Sequence, residues 1–392
     1  MIDVLVAGHA CVDIIPRILP GMSGAEWLVP GRLTEAGEAM FTPGGAVSNT
    51  GLALHKLGVA VCLVARVGDD IVGDLLCRIL AQTDPRLPES LMVAPGEFGS
   101  YTIVISPPGV DRCFLTGPGP NDTFGPEHVS DELLAATRIF HLGYPPLLRR
   151  MYSDHGQELL ELYHKAKGQG ATTSLDLAMP DPAQASGQAD WRDILAHTLP
   201  YVDIFVPSAE ELLFMLDRAQ FDALEARAAE GSMLDLLSAD AIGDLAQVAL
   251  SMGARIVMIK LGHRGIYLRT GSLDADLGRG APADRDAWRQ RELWVPAFAV
   301  EVAGTVGAGD AAVAGFLTAI LRGQGPVEAV RSAAAVGACN VEAADAISGL
   351  CSWEGTQARL AAPWPQQDPA IFGKGWRQDA TRGIWHGPLD GA

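Results

Sequence analysis

Short apolar runs and helix-period stripes alternate along most of the chain. Val4–Val6 is a short run of the kind a buried strand makes. Over residues 46–57, Val47, Thr50, Gly51, Leu54 and Leu57 recur at helical spacing, which predicts a helix. A strand at Val61–Val67 and a helix at Ile71–Leu80 follow. The rhythm continues through Leu133–Arg138, Ile139–Leu142, Glu158–Lys167 and Ser174–Leu177. It resumes at Asp203–Val206, Glu210–Leu216, Leu245–Met252, Arg255–Leu261 and Gly309–Leu321. Alternation of this type predicts an α/β fold: a doubly wound, mostly parallel sheet flanked by helices.

Two stretches break the rhythm. Residues 14–43 hold several Gly and Pro and no long periodic run. Residues 98–116 hold two strand-like pieces, Tyr101–Ser106 and Arg112–Thr116, split by Pro107-Pro108-Gly109 in the manner of a hairpin. Together they predict a small β-sheet lid outside the main sheet. The main domain is then residues 1–13, 44–97 and 117–351. Residues 271–291 are polar and are expected to form a surface insertion. Residues 352–392 place Trp353, Trp364, Trp376 and Trp385 among Pro and Gly, an irregular extension expected to pack on the main domain.

Composition narrows the function classes. Hydrophobic residues make up 48% and charged residues 19%, enough apolar content for a packed core. The formal net charge of −18 repels polyanions, which argues against general nucleic-acid binding. It does not argue against a local phosphate site, because backbone N–H groups at a helix start hold phosphate without Lys or Arg. The six cysteines form no C-x-x-C pair and no zinc spacing, so they are expected as scattered thiols. The first residues meet Asp3 and Asp13 early and have no basic start, unlike a signal peptide. No apolar run reaches the roughly 18 residues of a membrane span. These features lead to the expectation of a cytoplasmic protein with no membrane partner.

The most informative segment is Gly304-Thr305-Val306-Gly307-Ala308-Gly309-Asp310-Ala311, leading into a helix striped by Val313, Phe316, Leu317 and Ile320. The glycines let backbone approach a ligand closely. A helix start presents unpaired N–H groups and a positive dipole end, which stabilise charge on a transferring phosphoryl group. Asp310 in the first turn is placed to take the proton of an attacking hydroxyl. Its plainer role is to complement the helix dipole. Gly307-x-Gly309-x-x-Ala312 also fits a dinucleotide fingerprint. That reading needs a strand directly before it and an acidic strand end about 20 residues later, and neither is present.

Pro43-Gly44-Gly45-Ala46-Val47-Ser48-Asn49 is the second segment. Adjacent glycines before a helix suit a small polar ligand, and Asn49 can both donate to and accept from vicinal hydroxyls. Alone, Gly-Gly before a helix is also an ordinary turn. The two segments, in this order and far apart, resemble the PfkB (ribokinase-like) family of carbohydrate kinases over residues 3–350. The resemblance implies a doubly wound α/β sheet with a β lid over a sugar site, and ATP with Mg²⁺ as cosubstrate. It assigns Asp310 as catalytic base and Gly307, Ala308 and Gly309 as the anion hole. It assigns Asp13, Gly44, Gly45 and Asn49 to the substrate. On the nucleotide side it assigns Ser208 and Glu211, from Pro207-Ser208-Ala209-Glu210-Glu211, with Glu211 holding metal through water. It adds Lys260, Gly262 and Gly265, from Lys260-Leu261-Gly262-His263-Arg264-Gly265, and Asn340 beside the adenine. Val67-Gly68-Asp69-Asp70 with Gly73 matches a further family pattern of structural type.

Three departures bear on chemistry. Gly304 stands where the family pattern has Asp, a residue that helps bind a monovalent cation in relatives that use one; potassium activation is therefore in doubt. Ser208 replaces Asn, and Lys260 replaces Thr. The expected activity is ATP-dependent phosphorylation of a hydroxyl on a small carbohydrate. The alternatives are a nucleoside kinase, which needs an apolar wall near the lid such as Trp27 and Phe41, and a non-catalytic sugar- or nucleotide-binding regulator on the same fold. Lid Arg112 is placed either in solvent or against an acidic substrate. Through the resemblance, the lid is also a candidate homodimer interface.

Overall fold

The structure is a computed structural model; it describes residues 1–19, 30–105, 113–228, 231–371 and 373–391. Trp27, Pro107-Pro108-Gly109 and Arg112 lie outside the described residues. A 10-stranded sheet forms the centre, in the order Arg377–Asp379, Ile384–His386, Glu292–Val295, Ile266–Thr270, Ile256–Lys260, Ile204–Phe205, Thr172–Leu175, Thr137–Gly143, Ile2–Gly8, Val61–Val64. The strands from Ile256–Lys260 to Val61–Val64 pair in parallel. The remaining pairings, out to Arg377–Asp379, are antiparallel.

Side chains alternate across the sheet, as the two-residue strand period requires. Val4, Val6, Ile139, Ile256 and Met258 pack into one core layer. Leu5, Ala7, Phe140, Val257 and Ile259 pack into the other. Burial on both faces explains why these strands appear in the sequence as continuous apolar runs. Helices Gly45–Lys56, Ala308–Leu321 and Pro326–Asn340 cover the first face, and Gln157–Gly168, Ala209–Leu216 and Ala239–Met252 the second.

A separate 4-stranded sheet joins Ala39–Gly44, Cys11–Pro16, Tyr101–Ile105 and Cys113–Gly117. It begins at Cys11 rather than 14 and runs to Gly44, so Asp13 and Gly44 belong to its strands and not to the main sheet. Asn121 ties it to the centre. Its amide accepts from Ala10 N at 3.1 Å and donates to Ala10 O at 3.0 Å and Ser100 Oγ at 2.8 Å.

Three further expectations change. The strand expected at Val61–Val67 splits: Val61–Val64 stays in the main sheet, and Arg66–Gly68 pairs with Met92–Ala94 in a 2-stranded sheet. Asp70 then caps helix Ile71–Thr83 through Val72 N and Gly73 N and also accepts from Gly99 N, a structural role for that motif. Residues 271–291 are more than a surface insertion, because Leu273, Leu277 and Trp288 are buried. Arg279 also ties the segment to the carbonyls of Leu134 and Thr137. Their few apolar side chains were masked by the polar average around them. The 352–392 extension does not merely pack on the domain; it adds two strands to the sheet. Trp376 lies 5.8 Å from Trp294, and Trp364 stacks at 4.4 Å on Phe298. No helix among the described residues is long and apolar enough to cross a membrane.

Because Ile384 is fully buried in the core of the added strands, Ile384→Ala is expected to cost about 3 kcal/mol in urea unfolding. A loss indistinguishable from zero would show that the extension is peripheral to the fold.

Candidate active site

Four adjacent parallel strands end in polar side chains on one edge of the sheet. Tyr144 follows Thr137–Gly143, Asp176 follows Thr172–Leu175, Ser208 follows Ile204–Phe205, and Lys260 closes Ile256–Lys260. Next to them, between Thr137–Gly143 and Ile2–Gly8, the strand order reverses direction, which is where open α/β sheets form their ligand crevice. A cavity of about 630 Å³ lies on this edge.

Helix Ala308–Leu321 points its N-terminus into the cavity. Its cap is Gly307 at φ +72°, a left-handed conformation that favours glycine. Gly307, Ala308, Gly309 and Asp310 all line the cavity. Asp310 is only 2% exposed, and its carboxylate is held by three side chains. Thr50 Oγ1 donates to Oδ1 at 2.9 Å, Asn49 Nδ2 to Oδ2 at 3.2 Å, and the Tyr144 hydroxyl to Oδ2 at 2.7 Å. Burial raises the Asp310 pKa above the ordinary carboxylate range, while Tyr144, Lys260, Thr50 and Asn49 pull it back. Such a carboxyl can serve as a base with greater proton affinity than a surface aspartate. Tyr144 itself sits at φ +64°, a rare backbone state for a bulky side chain.

Asp13, Gly44, Gly45 and Asn49 are not in the lining of this cavity; Asn49 reaches Asp310 directly, and Asp13 lies close enough to feel the Asp310 charge. A β-carbon at residue 44 would overlap the Asp13 carboxylate, so glycine there leaves that carboxylate its room. Burial pushes the Asp13 pKa up to about 6; the Cys11 thiol opposes this and the negative Asp310 adds to it. Next to Gly45, the buried His9 ring has no hydrogen-bond partner for Nδ1 among the described residues, and burial lowers its pKa to about 4. The Asn49 amide oxygen is likewise buried without a partner.

The residues expected to bind the nucleotide separate into two groups. Ser208, Glu211, Lys260, Gly262 and Gly265 line the cavity. Ser208 and Glu211 also form a reciprocal helix cap, with Ser208 N donating to Glu211 Oε2 at 2.7 Å and Glu211 N to Ser208 Oγ at 3.2 Å. Asn340 does not face the cavity. It is fully buried and donates to Ala346 O at 2.6 Å, bracing the loop behind Gly307. Gly304 is pressed against that loop, where a β-carbon would lie 2.8 Å from Ala344 O.

Sequence reasoning missed Thr50, Tyr144, Asp176 and His9. Asp176 carried a usable signal, since an acid inside an expected buried strand needs a partner. Its Oδ1 sits 2.5 Å from Lys260 Nζ. Thr50 lies one residue beyond the second motif, and nothing local distinguished Tyr144.

The lining fits a magnesium-bound nucleotide. Ala297, Phe298, Val300, Val302, Ala338 and Val341 make an apolar wall away from the helix N-terminus. Trp364 and Gln367 bring the extension to that wall, Trp364 behind Phe298 and Gln367 in the lining itself. No cluster of three His, Cys, Asp or Glu forms a metal cage among the described residues. Magnesium on a nucleotide commonly needs only one or two carboxylates besides phosphate and water.

Comparison with known proteins gives the class. The family model described as pfkB family carbohydrate kinase matches residues 1–353. This chain belongs to that family and is a phosphotransferase acting on hydroxyl groups. It is similar to an uncharacterized sugar kinase of Archaeoglobus fulgidus, 24% identical over 299 residues, covering 76% of this chain and 98% of that one. It is similar to a cytidine kinase of Thermococcus kodakarensis, 23% identical over 333 residues, covering 84% and 93%. Its fold is that of an Arabidopsis thaliana ribokinase solved with ribose and ATP, with a TM-score of 0.67 at 20% identity, covering 93% and 100%.

The three donors to Asp310 stabilise its ionised form, so removing one raises its pKa. Tyr144→Phe and Thr50→Val are each expected to move the acid limb of the kcat/KM profile upward by about one pH unit. An unmoved acid limb in both variants would separate Asp310 from the titration that limits catalysis.

Proposed function

We propose that this protein transfers the γ-phosphoryl group of ATP to a hydroxyl of a small carbohydrate, with Asp310 as base. The observation that carries the reading is a nearly unexposed carboxylate in the first turn of a helix that opens into the cavity, oriented by side chains from two other elements. Asp13 and Asn49 hold the acceptor, with Gly44 and Gly45 keeping the backbone low beneath it. Asp310 takes the hydroxyl proton as the oxygen attacks. Backbone N–H groups over Gly307–Asp310 meet the charge that builds on the phosphoryl oxygens. Ser208, Gly262 and Gly265 shape the polyphosphate side, with Glu211 directed to the metal through water. Magnesium, when bound with the nucleotide, would supply charge neutralisation at the polyphosphate. The small sheet closes over the acceptor and limits water access, so that transfer to the sugar outpaces hydrolysis. This division of labour is positioning plus electrostatics, which is what phosphoryl transfer requires.

The acceptor class is tested with D-fructose, D-ribose, a 2-keto sugar acid and cytidine, following ADP release. A sugar or sugar acid is expected to stimulate turnover most. Preference for cytidine would instead make the protein a nucleoside kinase, in line with its Thermococcus relative. No stimulation by any acceptor, with nucleotide still bound, would favour a binding regulator. In Asp310→Asn, acceptor-dependent turnover is expected to fall by roughly 10²–10⁴, with nucleotide binding retained. Undiminished turnover would remove Asp310 from the role of base.

The glycine at 304 brings no carboxylate to the anion-hole turn, and the nearby Ala344 backbone leaves no space for one. We therefore propose that turnover does not depend on a monovalent cation. Exchanging potassium chloride for tetramethylammonium chloride at constant ionic strength is expected to leave kcat unchanged. A large, potassium-reversible loss would contradict this.

A further inference from the structure

The site contains a buried ion pair that the proposed reaction has not yet used. Lys260 ends its strand with its main-chain N–H on Pro207 O at 2.9 Å. Its side chain is 13% exposed, and Nζ lies 2.5 Å from Oδ1 of the fully buried Asp176. A β-carbon built on Gly309 would meet Lys260 Cδ at 3.4 Å and Nζ at 3.5 Å. The ammonium therefore sits beside the helix N-terminus, at the amides given to the phosphoryl group. Among the described residues that line the cavity, Lys260 is the only lysine or arginine, and Glu210, Glu211 and Asp310 are the acids. A lining with that balance repels a polyphosphate unless its one cation is used. Buried ion pairs are weak contributors to stability, so a retained pair in a cleft points to chemistry.

We propose that Lys260 is a catalytic residue whose ammonium contacts the transferring phosphoryl group, with Asp176 as the positioning residue that holds it beside Gly309. The proposal rests on the kinase reading above. No proton is transferred: the ammonium keeps its three N–H groups and donates a charge-assisted hydrogen bond to a non-bridging oxygen as charge builds there. Burial works against the charge on Lys260, but Asp176 and Glu211 outweigh it and keep the group protonated. Asp176 also accepts from Leu177 N at 2.8 Å, which fixes the carboxylate to the end of its own strand.

The test uses the full chain with Lys260→Met, with the double variant Lys260→Met/Asp176→Asn, and with Lys260→Arg. Asparagine in the double variant leaves no buried charge unpaired and keeps an acceptor for Leu177 N–H, so this variant keeps the test readable even if the single one fails to fold. Binding of AMP-PNP and of ADP, each with Mg²⁺ and without acceptor, is measured by calorimetry. Both Met variants are expected to lose about tenfold to a hundredfold in AMP-PNP affinity, with ADP affinity nearly unchanged. With the best acceptor of the panel, kcat is expected to fall about a hundredfold while the acceptor KM holds. Lys260→Arg is expected to recover part of both. A folded double variant with the wild-type ratio of AMP-PNP to ADP affinity and wild-type kcat would overturn the proposal. Failure of the kinase reading would look different, as absence of acceptor-dependent turnover in the wild-type protein.

Discussion

A carboxylate that is almost fully buried must still be ionised to do what is proposed for Asp310, and the surroundings of Asp310 hold its charge. Burial alone would drive Asp310 toward its neutral form. The start of helix Ala308–Leu321, three side-chain donors and the nearby Lys260 charge counter it. The donors stand 260, 261 and 166 residues away in the chain, so this environment of Asp310 exists only when the whole sheet has assembled. Helix Gly45–Lys56 supplies Asn49 and Thr50 from one side, and the end of strand Thr137–Gly143 supplies Tyr144 from the other. The strand order brings both to the same edge.

The same edge gathers more negative charge than positive. Burial raises the pKa values of Asp13, Asp176 and Asp310, and the negative Asp310 adds to the rise at Asp13 and Asp176. Lys260 is the counterweight at the centre. A site of this kind holds its ligands through a few fixed groups and depends on cations that arrive with the nucleotide. The overall charge of −18 is thus compatible with a phosphate-handling protein, because the favourable field is local and comes largely from backbone.

Much of the fold was legible because parallel strands buried on both faces announce themselves as apolar runs. Val4–Val6, Ile139–Leu142 and Arg255–Leu261 were recognised on that basis. Helix Pro326–Asn340 was not, since its alanines are buried almost all round and leave no stripe of contrast. The added strands of the extension were hidden for another reason: each has only 3 residues, too few for a period. Around the cavity, the positions of Asp310, the glycines before it and Asn49 were visible because glycine spacing and a helix start mark a position locally. Tyr144 and Thr50 act through contacts that only topology creates. Asn340 was misplaced because a match in sequence position does not show which way an amide turns.

The 352–392 extension lies beyond nearly all of the family match, yet it braces Phe298 through Trp364 and brings Gln367 into the cavity lining. The apolar wall of the cavity is therefore partly built by the extension, while Asp310 and the glycine turn before it follow the family pattern. The central claim is that Asp310 meets the acceptor directly. A crystal structure with AMP-PNP, Mg²⁺ and the acceptor bound tests it most directly. The account predicts an acceptor hydroxyl about 2.6–3.2 Å from the Asp310 carboxylate, in line with the γ-phosphorus. An acceptor bound elsewhere, with the Asp310 carboxylate still enclosed by Thr50, Asn49 and Tyr144 alone, would contradict it.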